Sequence, residues 1–347
     1  MARQSQGFQA SGRVYLIIAI LIFGAANAVT RQLTDLGAAH FVDGHNPVSA
    51  CNVLFVGNVC ALGLLMVLYH RQLRPGLLRQ ISGRQWAILT LIAVVGGALV
   101  PMLIFTALAI TAVNNVVLLS QLSAPLALAL SVIFLGAQVN VAVTLGAIVA
   151  FVGVALTVLL PTVNPGVVET TIGLTIGRGD LLVLVAAGLQ AIANLISKIS
   201  LQTVPLGFFN VYRTMVGTVF FFTATILLFE PSHFMDVTSP FLWRWMLLYS
   251  AVIVVGGQLA WFAGLKSSTA SEISLATAFT PIAGVLAAYL ILGEVPTVAQ
   301  YVGGAVILVG IMLNQVGVQQ LNRAVLSPPP SPPAPVAVSE QVIYKGV

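Results

Sequence analysis

Residues 135–157, LGAQVNVAVTLGAIVAFVGVALT, align without a gap onto residues 292–314, LGEVPTVAQYVGGAVILVGIMLN, at a constant shift of 292 − 135 = 157. Nine of the 23 positions are identical. Apolar helices match one another by composition, so the informative identities are the glycines: Gly136 with Gly293, Gly146 with Gly303, Gly153 with Gly310. Each copy has a proline upstream, Pro125 and Pro281, and further back Gly96-Gly97 answers to Gly256-Gly257. Gly12, Asn27 and Arg31 answer to Gly179, Asn194 and Lys198, which carries the repeat across nearly the whole chain.

A chain that is 59% hydrophobic and 7% charged, with mean hydropathy +1.03, has too little polar surface for a soluble domain of 347 residues. The net charge of +5 sits in loops between apolar stretches, so it reads as membrane topology and not as a nucleic-acid surface. Cys51 and Cys60 fall inside an apolar segment and read as buried structural thiols. The apolar run 14–30 is too long for a signal core.

Crossing about 30 Å of hydrocarbon takes roughly 20 apolar residues. Ten such stretches are predicted, at 14–33, 47–69, 86–109, 113–135, 140–160, 180–201, 206–229, 242–265, 272–292 and 297–317. Five belong to each copy, and an odd number of crossings reverses the polarity of the next unit. The fold class expected is an all-α integral membrane protein of ten transmembrane helices, two inverted five-helix repeats. The divisions expected are a cytoplasmic N-terminus 1–13, a first repeat 14–160, an extracytoplasmic linker 161–179, a second repeat 180–318 and a disordered, proline-rich cytoplasmic tail 319–347, which cannot bury a core.

Lysine and arginine set the orientation. With the N-terminus inside, Arg3, Arg13, Arg71, Arg74, Arg79, Arg84, Lys198, Lys266, Arg323 and Lys345 are cytoplasmic, against Arg31, Arg178 and Arg244 outside. Both termini are therefore expected in the cytoplasm. Arg213 belongs to neither group because it falls within a span.

The segments ALAITAVNNVVLLSQLSAP (107–125) and GLKSSTASEISLATAFTP (264–281), each followed by Leu-Gly and a glycine-spaced helix, resemble the drug/metabolite transporter superfamily, specifically its EamA-type permeases. The resemblance covers residues 12–318. It implies a permease that exports or exchanges small organic metabolites, with amino acids or related zwitterions and anions as the leading class. It also implies a central cavity bounded by helices 1, 3, 4, 6, 8 and 9, with helices 5 and 10 peripheral. The Leu292-Gly293-Glu294 triplet is typical of the family; the first copy has Ala137 in place of the glutamate. Glu294 is expected to cap or anchor a helix end.

Polar groups at membrane depth are costly and point to function. Gln190, Asn194 and Lys198 recur at intervals of four, one face of helix 6, and Gly24, Asn27 and Arg31 repeat that face on helix 1. Asn114, Ser120 and Gln121 on helix 4, Asn210 and Arg213 on helix 7, Gln258 and Trp261 on helix 8 and Glu272 at the start of helix 9 complete the set. Asn27, Asn114, Gln121, Gln190, Asn194, Gln258 and Trp261 are the candidate pathway residues, packing hydrogen bonds being the competing role. Arg31 and Lys198 are candidate gate cations for a carboxylate or phosphate, or helix-end cations held by the dipole. Arg213 is expected to pair with a carbonyl or with Glu272, and Lys266 is a further possible partner for Glu272.

Helix 1 has no carboxylate between Val14 and Thr30, which argues against proton antiport through a first-helix acid and for uniport or exchange. The alternative is a proton-coupled antiporter, or a non-transporting receptor or scaffold. His40, His45, His70 and His233 show no metal-ligand spacing, and no phosphate-cradling G-x-x-x-x-G-K-[ST] occurs. No enzyme activity, cofactor, metal or nucleic-acid partner is expected; the partners are a small-molecule substrate and the bilayer, the chain being monomer or homodimer.

Overall fold

The computed structural model describes residues 4–39, 48, 50–70, 73, 81–136, 139–160, 177–200, 204–228, 239–268 and 270–326. The linker, the proline-rich tail and most of the cation-bearing loops lie outside the described residues, as do the side chains of Cys51, Lys198 and Lys266.

The ten expected spans are ten helices. They are α1 (Gln4–Ala38), α2 (Ala50–Tyr69), α3 (Gly83–Ile110), α4 (Val113–Ser120 then Ser123–Leu135) and α5 (Val141–Leu159). The second repeat supplies α6 (Arg178–Ser200), α7 (Leu206–Leu228), α8 (Pro240–Tyr249, Ser250–Gly256, Gly257–Ser267), α9 (Ala270–Leu292) and α10 (Val298–Leu326). With ten crossings the start of α1 and the end of α10 lie on one side of the membrane, called here the terminal side.

Breaks in the helices have local causes. Pro125 has no N–H and its ring crowds the carbonyl of Gln121, and α4 is interrupted by a turn at Gln121–Leu122. The two Gly-Gly pairs mark a feature the periodicity did not reveal. Val95–Leu99 in α3 and Ser250–Gly256 in α8 are π-helical, in matching places of the two repeats. The tight α4–α5 and α9–α10 connections turn on Gly136 (φ 60°) and Gly293 (φ 70°), a left-handed conformation that a side chain would strain. Capping of the next helix follows: Asn140 Oδ1 accepts from Val143 N (2.9 Å), and Thr297 and Gln300 form a reciprocal capping box.

Lipid offers no hydrophobic drive for helix association, so close backbone approach must supply it. The glycine stripes do this by packing on each other across an antiparallel α5–α10 pair. Gly146 meets the carbonyl of Gly310, and Gly153 meets the carbonyl of Gly303. These are reciprocal contacts, since 303 − 146 = 310 − 153 = 157, and they place a pseudo-two-fold axis between the copies. A second crossing packs Gly24 of α1 against Ala283 and Gly284 of α9, with Gly284 also against Val117 of α4. The resulting core gathers Ala28, Ala107, Val113, Val117, Leu119, Ala187 and Ile307 from both repeats.

Candidate functional site: an inverted-repeat polar pathway

On α6 the lipid-exposed residues Leu181, Val185 and Ile192 mark one face. Gln190 and Asn194 lie on the other, one turn apart, and Gln190 Nε2 donates to Asn194 Oδ1 at 2.6 Å. Asn194 nevertheless retains exposed surface, so this pair lines open space on the protein side of the helix. Asn27 is half-buried on the matching face of α1, turned from the exposed Val14, Ile17, Ile18 and Leu21.

Across the fold, Asn210 Nδ2 of α7 donates to Gln258 Oε1 of α8 at 3.3 Å, immediately after the π-helical segment of α8. Three residues along α7, Arg213 Nη2 donates to the carbonyl of Gly96 in the π-helical segment of α3. Trp261 meets Phe23 of α1 edge-on, with ring centroids 6.5 Å apart. These residues tie α1, α3, α7 and α8 together around the two helix breaks. Gln121 sits at the break of α4, where its amide donates to Val117 O of its own helix (3.2 Å).

Asn114 and Arg31 occupy the end of the fold opposite the terminal side. Asn114 is buried beneath the α9–α10 turn, its Nδ2 donating to Glu294 O at 3.4 Å. Arg31 Nε lies 3.2 Å from both carboxylate oxygens of Asp35, and its Nη1 donates to Leu108 O in the last turn of α3. A cation on those final carbonyls complements the helix dipole. Arg213 finds a carbonyl, that of Gly96, and not Glu272, while the side chain of Lys266 lies outside the described residues. Glu272 Oε1 accepts from Arg13 Nε at 2.5 Å, because α1 passes beside the first turn of α9 whereas Arg213 lies well inside α7.

The Arg13–Glu272 pair has a counterpart at the opposite end that the sequence reading missed. Asp180 Oδ1 accepts from Thr111 Oγ1 (2.9 Å) and Asn115 Nδ2 (3.0 Å). In repeat register Asp180 is the equivalent of Arg13, as Gly179 is of Gly12 (180 − 13 = 179 − 12 = 167). Gly12 seats on Ser267 and Gly179 seats on Thr111, again equivalent positions by the proline register (267 − 111 = 281 − 125 = 156). Each repeat thus docks the start of its first membrane span on the turn between the other repeat's third and fourth helices.

The end opposite the terminal side carries further bonds. Gln300 Nε2 donates to Asn115 Oδ1 (2.6 Å), and Glu294 takes the N–H groups of Val113 (3.1 Å) and Asn114 (3.2 Å) at the start of α4. Ala137, in the place of Glu294, has no carboxylate to repeat this cap. Two apolar grooves flank α9, one between α1 and α9, the other against α10. Their exposed Ile17, Leu21, Phe279, Ile282, Leu286 and Tyr301 face lipid, and neither groove reaches Gln190, Arg213 or Gln258.

An all-helical bundle of two inverted repeats, with polar side chains gathered inside the spans, defines a multi-pass membrane transporter class. The chain belongs to the EamA-like transporter family, whose model matches residues 10–159 and 177–315. It is 44% identical over 306 residues to "Uncharacterized transporter sll1164" of Synechocystis sp., covering 88% of this chain and 87% of that one. It is also 30% identical over 137 residues to "Uncharacterized transporter YoaV" of Bacillus subtilis, covering 39% and 46% of the two chains. A solved crystal structure shares the fold with a TM-score of 0.53 at 17% identity, covering 92% of this chain and 99% of that one.

Proposed function

We propose that this transporter is a permease for small organic metabolites, amino acids or related zwitterions and anions, working by alternating access between its two inverted repeats. The observation that carries this reading is the pair of equivalent helix-start contacts, Arg13–Glu272 at one end and Asp180–Thr111/Asn115 at the other. Inverted copies of one contact, one at each mouth, are what alternating access needs: breaking either opens the pathway to one side only. The terminal side is the cytoplasm, by the ten-to-three distribution of lysine and arginine. Gln190, Asn194, Asn27, Gln258 and Trp261 line the pathway, and neutral amides beside a guanidinium suit carboxylate-bearing solutes. Uniport or exchange is favoured over proton antiport because Glu272 is ion-paired at a helix start instead of standing alone at membrane depth.

The test is counterflow in proteoliposomes, with purified protein and a panel of labelled amino acids and carboxylates. Exchange of at least one solute is expected, reduced in Asn194→Leu and Gln190→Leu by more than the amount of folded protein falls. Packing hydrogen bonds of this kind are worth only about 0.6 kcal/mol. Absence of flux for the whole panel would overturn the permease reading in favour of a receptor.

A further inference from the structure

None of the four described carboxylates pairs with Arg213. Asp35 pairs with Arg31, Glu272 with Arg13, Asp180 binds Thr111 and Asn115, and Glu294 caps α4. The other five, Asp43, Glu169, Glu230, Asp236 and Glu340, lie outside the predicted spans and outside the described residues. Arg213 is the eighth residue of α7, and it reaches Gly96, midway along α3. It points away from the lipid face of α7 marked by Met215, Val219, Phe222 and Ile226. So a permanent cation sits inside the bundle near the middle of the membrane without a counter-charge from the described residues.

Its seat is built. Gly96 and Gly97 leave the surface of α3 bare, and a Cβ at Gly97 would stand 2.9 Å from Arg213 Cγ and 3.3 Å from Nε. The carbonyl of Gly96 is the one hydrogen-bond partner of the guanidinium among the described residues. One neutral acceptor uses one of five donors, and the side chain keeps open surface. A guanidinium held by its stem, turned from lipid, with donors to spare, is arranged for bidentate capture of an oxyanion.

Resting on the permease reading above, we propose that Arg213 is the anion-binding residue of the translocation site, taking the carboxylate or phosphate of the transported metabolite. The bound anion supplies the counter-charge that no described residue provides. Asn210, on the same face of α7 and bonded to Gln258, supplies neutral amides for the rest of the solute.

The experiment is thermal unfolding of the purified full chain in detergent, titrated with acetate, leucine, inorganic phosphate and, as the neutral control, acetamide. For wild type, at least one of the three oxyanion probes should raise Tm by roughly 3 °C at about ten times its Kd, with acetamide silent. Which probe acts distinguishes carboxylate from phosphate. Arg213→Gln should lose that rise while its ligand-free Tm stays equal or increases, because an uncompensated cation has been removed. Arg213→Lys should keep the rise at several-fold weaker affinity. A fall in ligand-free Tm with the anion response intact would make Arg213 a structural pin on Gly96 and overturn the proposal, as would wild-type protein indifferent to all three oxyanions. Proteoliposome exchange of the stabilising probe separates the two readings. Exchange lost selectively in Arg213→Gln supports both; exchange equal in wild type and Arg213→Gln overturns this site alone; no exchange by any variant overturns the permease.

Discussion

Arg13 and Glu272, 259 positions apart in sequence, meet at 2.5 Å where the first helix of one repeat lies against the fourth helix of the other. Repeat symmetry places Asp180 and Asn115 in nearly the same relation at the opposite end, Glu272 being one residue beyond the exact counterpart of Asn115 (271 − 115 = 156). The two ends therefore use different chemistry for one job, an ion pair on one side and neutral donors to a carboxylate on the other.

Removing either contact should bias the transporter toward opening at that end. An exposed ion pair is worth up to about 1 kcal/mol, so Arg13→Gln should raise the open fraction at the terminal side by about twofold to fivefold. The measurement is the thiol-labelling rate of Ser267→Cys, beneath Gly12, in a background with Cys51 and Cys60 replaced by serine. Asp180→Asn should slow that labelling or leave it unchanged, since it loosens the other mouth. Faster labelling in both variants would mean general loosening and not a pair of opposed contacts.

Glu294 should matter to stability more than its loop position suggests. Its carboxylate takes two N–H groups at the start of α4 while its own carbonyl receives Asn114 Nδ2, so the α9–α10 turn and α4 are held as one body. Charge-assisted caps of this kind are worth about 1–2 kcal/mol. Glu294→Ala should lower Tm in detergent by several degrees, and Glu294→Gln by less. Equal stability of Glu294→Ala and wild type would show that the cap contributes nothing measurable.

The α5–α10 contact makes the sharpest packing prediction. A Cβ at Gly310 would lie 2.5 Å from Ala150 N, and one at Gly153 would lie 2.6 Å from Ile307 N, both backbone atoms that cannot swing aside. Gly310→Ala and Gly153→Ala should each cost about 1–3 kcal/mol as overpacking. Gly188→Ala is the control, because nothing stands within 4 Å of a Cβ there, and it should be neutral or slightly stabilising. The readout is the fraction of folded protein in the membrane and its Tm; a Gly188→Ala effect as large as that of Gly310→Ala would remove the packing account.

What the sequence disclosed followed from local signals. Span positions came from hydropathy, the two-copy organisation from the glycines shared at a shift of 157, and a capping role for Glu294 from its place after Leu292-Gly293. The π-helical segments were hidden because Gly-Gly inside an apolar run is equally compatible with an ordinary close-packed helix. Partner choice was hidden for a different reason. Glu272 could be matched to Arg213 or Lys266 on charge alone, and only the docking of α1 beside α9 brings Arg13 to it. Asp180, Thr111 and Asn115 could have been found by applying the repeat register to Arg13 and the turn after α8, an inference that needs the contact before it can be copied.

Energy coupling is the remaining consequence of these pairings. Among the described carboxylates, Asp35, Asp180 and Glu294 are bonded at the end opposite the terminal side, and Glu272 stands in the first turn of α9 on the terminal side, held by Arg13. A proton carrier must alternate between charged and neutral forms while exposed first to one side and then to the other. A carboxylate at one end of the membrane, already bonded to a guanidinium, is poorly placed for that task. We therefore expect an imposed pH gradient to leave proteoliposome uptake within about twofold of the rate without a gradient, and Glu272→Gln to preserve counterflow exchange, its effect confined to the opening bias described for Arg13. Flux measured with and without the gradient, for wild type and Glu272→Gln, decides the matter. Strong acceleration of wild-type uptake by the gradient, abolished in Glu272→Gln while exchange survives, would make Glu272 the coupling site and replace uniport or exchange with proton antiport.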